Sequence, residues 1–139
     1  MDYEGAKAKL LWNWTHPEPE ASEVYTDDAV VEFPQSGERF RGKENFSTWR
    51  GAYPAEFMEF ELRALRGEGD TWIGELQVRY EEGGDPLSGV VILHFRDDLI
   101  DQETIYFGEA FPPAAERAQY ADQSQLESTP GLPLRVRAA

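Results

Sequence analysis

The sequence predicts an α+β domain in which three N-terminal helices cover one face of a curved antiparallel sheet. Apolar residues recur at helical spacing early in the chain and alternate with period two after residue 57. Turns rich in Gly, Asp and Pro then divide the later part into four apolar runs. This order is typical of helices packed on one face of a sheet, and 139 residues fit one such domain.

The helices are predicted from apolar stripes and from the prolines that end them. The first stripe runs from Tyr3 to Trp14, and Pro17 should end its helix at or before His16. A short second helix is expected in "PEPEASEVY", and a third in "GKENFSTWRGAY", which Pro54 closes. Between the last two, "DDAVVEFPQSGERFRG" predicts a short, interrupted hairpin that extends one edge of the sheet.

The four later runs predict a meander of strands. They are "FMEFELRAL", "TWIGELQVRYE", "LSGVVILHF" and "LIDQETIYF". The third is apolar on both faces and is therefore predicted to be central. A tail follows from Pro112, with a short helix expected in "PPAAERAQYA" and a loose or arm-like end. We expect a domain over residues 1–122 and a tail over residues 123–139.

Composition excludes several classes of function. The net charge is −14, and the 13 basic residues are scattered, so neither nucleic acid nor an anionic membrane is an expected partner. The chain has no Cys, which excludes disulfides and thiolate chemistry. The first residues lack the pattern of a signal peptide, and no run is long enough to span a membrane. A cytoplasmic protein is expected.

Three segments carry a resemblance to a known family. "YTDDAVVEFPQSGERFRGKENFSTWR", "DDLIDQETIYFGE" and "PPAAERAQY", in this order, resemble the SnoaL-like branch of the nuclear-transport-factor-2-like superfamily over roughly residues 1–122. The resemblance implies a cone-shaped, cystatin-like α+β barrel with an apolar cavity at its wide end. Members include ketosteroid isomerases, polyketide cyclases, dehydratases and epoxide hydrolases, while others only bind ligands or partners, so fold does not settle function.

Two positions depart from enzymes of this superfamily. The residue before the proline of the first hairpin is the aspartate base in ketosteroid isomerases, and here it is Phe33. In epoxide hydrolases a catalytic aspartate precedes the aromatic pair of the last strand, and here that position is Ile105. Neither of these reactions is therefore expected.

His94, in the apolar run "VVILHF", has two interpretations. It is either a histidine of the core or sheet face satisfied by hydrogen bonds, or an acid or base in a pocket, because His titrates near neutral pH. The resemblance favours the second, since polyketide-cyclase-like members carry a His on this strand. His16, beside a proline at a helix end, is interpreted as a cap or surface residue.

Strand register predicts the neighbours of His94. If Asp97-Asp98 is a two-residue turn, Arg96 pairs with Leu99, and His94 lies opposite Asp101 and diagonal to Glu103. The same face is expected to carry Val90, Ile92, Ile105 and Phe107.

The resemblance directs this face toward the cavity. His94 is accordingly predicted as the acid or base, with Glu103 orienting it and Glu75 or Gln77 as a third polar group. Aromatic residues are dense enough to line an apolar pocket. The predicted ligand-binding set is Trp12, Tyr25, Phe33, Trp49, Tyr53, Gln77, Asp101, Ile105 and Phe107.

Three functions remain open at this level. They are a cofactor-independent acid–base enzyme acting on an apolar cyclic or polyketide-like substrate, a non-catalytic ligand-binding protein, and a dimerising structural module with a filled core. The adjacent acids Asp27 and Asp28 are interpreted as turn and cap residues, and no metal or cofactor is expected. Because the helices cover one face of the sheet, a homodimer through the outer face is predicted.

Overall fold

The fold is known from a computed structural model that describes residues 1–122 and the backbone of a last strand, Pro133–Val136. One curved sheet has helices on its inner face. In chain order its strands are β1 Tyr25–Phe33, β2 Glu38–Arg41, β3 Met58–Glu68, β4 Thr71–Arg79, β5 Leu87–Arg96, β6 Leu99–Gly108 and β7 Pro133–Val136. Their spatial order is β2-β1-β6-β5-β4-β3-β7.

Residues 1–122 form two α-helices, rather than the three helices predicted. Helix α1 spans Tyr3–Thr15 and begins where the Asp2 side chain accepts a hydrogen bond from the Gly5 amide. Helix α2 spans Lys43–Ala52. The predicted second helix is a short 3-10 helix, Glu20–Val24, which ends where β1 begins at Tyr25. Tyr25, which was placed on that helix, is the first residue of β1.

The order of the strands confirms the predicted meander, with β5 central and the β1–β2 hairpin at one edge. The expectation of a wholly antiparallel sheet was wrong, because β1 pairs with β6 in parallel. The long connection between these two strands permits a parallel pairing that a hairpin cannot make. The sheet is therefore mixed, and a closed cone stays a prediction.

The core lies between α1, the start of α2 and the inner face of the sheet. Every second residue of β5 from Gly89 to Phe95 is buried, as a period-two strand requires. Helix α1 approaches the sheet closely, since a Cβ atom on Gly74 would lie 2.7 Å from Leu10 Cδ1. The largest fully buried apolar side chains are Tyr25, Phe60, Phe95, Leu10, Leu62, Leu76, Leu93 and Ile100.

The tail begins with a 3-10 turn, Ala115–Arg117, where a short helix was expected. The backbone of β7 pairs with β3 and so adds an edge strand to the sheet. The remaining part of the predicted arm lies outside the described residues. Within the part of the chain that is described, no helix is long and apolar enough to cross a membrane.

Candidate functional site

A cavity of about 310 Å³ opens between the end of α1, helix α2 and the inner face of β6. Its volume is at the small end of the usual range of ligand cavities, about 300–1,000 Å³. Most of its wall is apolar, and aromatic rings predominate. The lining residues are Asn13, Trp14, His16, Pro17, Glu18, Phe33, Phe46, Trp49, Arg50, Gly51, Tyr53, Pro54, Ala55, Met58, Tyr80, Glu103, Ile105 and Phe107.

Glu103 places a carboxyl group in this apolar wall. It pairs with Leu93 on β5 and Val31 on β1, and its side chain is only 2% exposed. The hydroxyl of Tyr25, itself buried, donates a hydrogen bond to Glu103 Oε1. Burial raises the pKa of Glu103, while the Tyr25 hydrogen bond and the charge of Arg50 act in the opposite direction.

The Tyr25 hydroxyl, which is the partner of the Glu103 carboxyl group, holds its own proton firmly. Burial, and then the charge of Glu103, raise the pKa of Tyr25 well above its ordinary value. The shared proton of the pair therefore stays on the tyrosine oxygen. Glu103 keeps a second carboxyl oxygen at the cavity wall, and this group can exchange a proton with a bound molecule.

Arg50 and Glu18 form a second polar group across the cavity. Arg50 Nε lies 3.5 Å from Glu18 Oε1, and its guanidinium lies over the ring of Phe46 at 5.3 Å. Glu18 is 8% exposed and accepts hydrogen bonds from Ser22 at 2.9 Å and from Ser47 at 2.6 Å. The ion pair joins α2 to the segment that follows α1.

The register prediction around His94 was wrong by one residue. The turn pairs Arg96 with Leu99 as predicted. Ile100 then lies opposite Phe95, and Gln102 lies opposite His94. Asp101, between them, is the extra residue of a bulge and lies opposite no residue of β5. The shift turns His94 and Glu103 to opposite faces of the sheet.

His94 is on the outer face, 49% exposed, with its Nδ1 atom 2.5 Å from Asp101 Oδ1. It does not reach the cavity, so neither the proposed catalytic placement of His94 nor the orienting role of Glu103 fits the structure. The same correction applies to Val90 and Ile92, which share the outer face with His94. Asp101 lies beside His94 and does not line the cavity.

Three more predicted site residues lie away from the cavity. Glu75 and Gln77 alternate with buried Leu76 and Val78, so they are on the outer face of β4, where Glu75 pairs with Arg66 at 2.9 Å. The indole of Trp12 stacks on His16 and donates a hydrogen bond to the Glu20 carbonyl oxygen at 2.8 Å. Trp12 belongs to the contact between α1 and the 3-10 helix.

The other predicted residues are found together. Phe33, Trp49, Tyr53, Ile105 and Phe107 all line the cavity. Tyr25 meets it only through its hydrogen bond to Glu103. Their roles toward a ligand stay predictions.

Sequence reasoning missed three polar residues of the cavity, namely Asn13, Glu18 and Arg50. Asn13 lies between two tryptophans on a helix and is buried, so a polar residue at an inward helical position was the available signal. Its amide donates a hydrogen bond to the Ala21 carbonyl oxygen at 3.0 Å. Nothing in the sequence indicated that Glu18 and Arg50 would pair. His16 caps α1 as predicted and also borders the cavity.

No group of three or more His, Cys, Asp or Glu side chains within the described ranges could hold a metal ion. The polar groups that line the cavity are carboxyl, amide, guanidinium, phenol and imidazole groups on different elements.

Fold and cavity together define a class: a curved-sheet α+β domain that encloses a small, mostly aromatic pocket with one buried carboxyl group. A sequence model of the SnoaL-like domain matches residues 11–103. The chain therefore belongs to the SnoaL-like family. A comparison with curated proteins found no match.

Solved structures support this assignment. An NTF2-like protein of unknown function from Burkholderia xenovorans LB400 is 32% identical, with a TM-score of 0.74 over 88% of this chain and 97% of that one. A Kribbella flavida DSM 17836 protein, described only provisionally as a ketosteroid isomerase, has 22% identity and a TM-score of 0.71 over 90% of this chain and 93% of its own. A Catenulispora acidiphila DSM 44928 protein with a ketosteroid isomerase-like fold was solved in complex with trimethylamine. It has 18% identity and a TM-score of 0.62 over 76% of this chain and 86% of its own. The last two show the fold alone.

Proposed function

We propose that the protein binds a small, apolar, cyclic molecule in the cavity and that Glu103 exchanges a proton with it. The observation that carries this proposal is the buried Glu103 carboxyl group in an aromatic wall. A polar group in such a wall costs free energy unless a partner compensates it, and only one of its oxygens has the Tyr25 hydroxyl. Ligand pockets are typically apolar and carry a small number of polar groups at defined positions, as this cavity does.

Acid–base chemistry follows from the environment of Glu103. A carboxyl group whose pKa is raised toward neutrality is a better general base than an exposed one, and its neutral form is a usable acid. In the proposed step, the Glu103 carboxylate accepts a proton from a carbon next to a carbonyl group of the ligand. The ligand becomes an enolate, and the neutral carboxyl group then returns the proton. Phe33 stands where the aspartate base of ketosteroid isomerases is found, so Glu103 provides a base on a different strand.

The neighbouring structures agree with a small-molecule site without naming its ligand. One is described provisionally as a ketosteroid isomerase, and another was solved with trimethylamine. Binding without turnover is the second candidate, favoured by the hydrogen bond that already occupies one oxygen of Glu103. A homodimer through the outer sheet face, where Ile73 and Tyr106 are exposed, and a cytoplasmic location stay predictions.

Binding is tested with a neutral two-ring compound, 2-naphthamide, and the fluorescence of the tryptophans that line the cavity. We expect saturable quenching in the wild type. Ile105→Phe adds volume inside the cavity and should weaken binding, whereas the same change at Ile73, on the outer face, should not. Equal binding by the wild type and both variants would place the compound elsewhere.

Proton transfer is tested with the two-ring ketone 2-tetralone in D2O. We expect the protein to speed deuterium uptake next to the carbonyl group, and Glu103→Gln to abolish the effect. Glu75→Gln is the matched control, because Glu75 is exposed on the outer face. If 2-tetralone binds but the wild type gives no more exchange than buffer, the second candidate, a binding protein without turnover, stands instead.

A further inference from the structure

The guanidinium group of Arg50 has donors that the protein uses poorly. Its NH1 and NH2 atoms meet Asn13 Oδ1 and the Asn13 carbonyl oxygen at 3.5 and 3.4 Å, and Nε lies 3.5 Å from Glu18. Good charge-assisted N–H···O hydrogen bonds are about 2.7–2.9 Å long. Among the residues that the structure describes, the five N–H groups of Arg50 have three oxygen contacts at the cavity wall, and all three are long.

The acids of the cavity, by contrast, are better satisfied. Both oxygens of Glu18 accept short hydrogen bonds from serine hydroxyls, at 2.9 Å from Ser22 and 2.6 Å from Ser47. Glu103 accepts from Tyr25, and burial favours its neutral form. A cation entering the cavity would meet a Glu18 carboxylate that already has two partners, and it would also meet the positive charge of Arg50.

Two contacts position Arg50, and neither is a short hydrogen bond from its guanidinium group. The guanidinium lies on the Phe46 ring, and its contact with the Asn13 carbonyl holds it at the last turn of α1, where carbonyl groups lack helical partners. The side chain is 25% exposed, so a ligand can reach it. Arg50 is also close enough to influence the pKa of both Glu103 and Tyr25.

We propose that Arg50 binds a carboxylate of the cavity's ligand, so that the ligand class is an apolar organic acid. The inference rests on the proposed function, because it names the ligand of the same cavity. A guanidinium presents parallel N–H groups that match the two oxygens of a carboxylate. The Glu103 carboxyl group would then face the ring of the ligand rather than its charge.

The test compares three ligands of one shape on the wild-type protein by isothermal titration calorimetry near neutral pH. They are 2-naphthoate, the neutral 2-naphthamide and the protonated 2-naphthylmethylamine. We expect 2-naphthoate to bind at least about tenfold more tightly than 2-naphthamide, because hydrogen bonds to a charged partner add this much. If the amide binds equally well, or the amine binds most tightly, the inference is wrong while the proposed function stands. If none of the three binds, both fail.

Variants assign the preference to Arg50. Arg50→Lys keeps the positive charge but lacks the parallel N–H groups of a guanidinium, so it should lose most of the preference for 2-naphthoate. Arg50→Met should lose all of this preference. Arg66→Met, on the exposed outer face, is the matched control and should keep the preference. Retention of the preference in Arg50→Met would overturn the inference. Since that variant leaves buried Glu18 without its cation, the wild-type ligand series decides the question if it does not fold.

Discussion

Replacing Tyr25 by Phe should destabilise the protein by an amount that increases with pH. The change removes the hydroxyl that donates to Glu103 and leaves that buried carboxyl group without this partner. A hydrogen bond to a neutral group contributes about 0.5–1.5 kcal/mol, and one to a charged group about 1.5–3 kcal/mol. We therefore expect a loss of about 1 kcal/mol at acidic pH and about 2 kcal/mol at alkaline pH.

The direction follows from the proton balance of Glu103. Its pKa in the folded protein is raised above the ordinary value of 4.5, so the folded state keeps a proton that the unfolded chain releases. The contribution of Glu103 to stability is thus full below about pH 4.5 and is lost as the pH rises through its folded pKa. Without the Tyr25 hydrogen bond, which lowers that pKa, the folded pKa is higher still and the fall continues further. Each additional unit by which the folded pKa of Glu103 rises lowers the free energy of unfolding at high pH by about 1.4 kcal/mol.

The assay is urea unfolding of the wild type, Tyr25→Phe, Glu103→Gln and the double variant. It is carried out at several pH values from about 4 to about 9, which bracket the titration of the carboxyl group. The glutamine of Glu103→Gln cannot ionise, so this variant should remove the part of the pH dependence that Glu103 causes. In Glu103→Gln, the cost of Tyr25→Phe should no longer depend on pH. A cost that is the same at all pH values with Glu103 present would refute the described environment of this carboxyl group.

Two predictions concern the hairpins. Gly67→Ala should destabilise the protein by about 2–4 kcal/mol, because the new Cβ atom would lie 2.7 Å from the Trp72 Cα atom. Gly69→Ala meets no atom within 4 Å and should cost only about 1–2 kcal/mol, because residue 69 has a positive φ. Thermal unfolding of both variants tests this, and an equal loss of stability would contradict it. Asp98→Gly should stabilise the protein by about 0.5–1 kcal/mol, because Asp98 has a φ of 68° and Gly adopts this conformation freely. A lower midpoint of urea unfolding for Asp98→Gly would contradict the second prediction.

The sequence indicated the fold well because its signals are local. Apolar period, prolines and turn residues mark α1, α2 and the four long strands near their observed limits. The parallel pairing of β1 with β6 was not visible, because it joins segments far apart in the chain. The predicted second helix is shorter than expected, because five residues between proline and strand allow only a 3-10 helix.

The site was harder to predict because it depends on register. The Asp97-Asp98 turn and the Arg96–Leu99 pair were predicted correctly from the turn chemistry. One extra residue, Asp101, then reverses the face of every later residue of β6 relative to β5. Glu103 lines the cavity, as the prediction had it, but His94, which was predicted beside it, lies on the outer face of the sheet. No periodic signal marks a bulge of one residue.

The central claim is that the cavity beside Glu103 binds small apolar compounds, and a crystal structure with a brominated 2-naphthamide tests it most directly. The anomalous signal of bromine locates the compound independently of any interpretation of the protein. We predict one peak among the aromatic residues between Trp49 and Phe107, with the compound in contact with Glu103. A peak on the outer face of the sheet, near Ile73 and Tyr106, or an unoccupied cavity at saturating concentration, would contradict the claim.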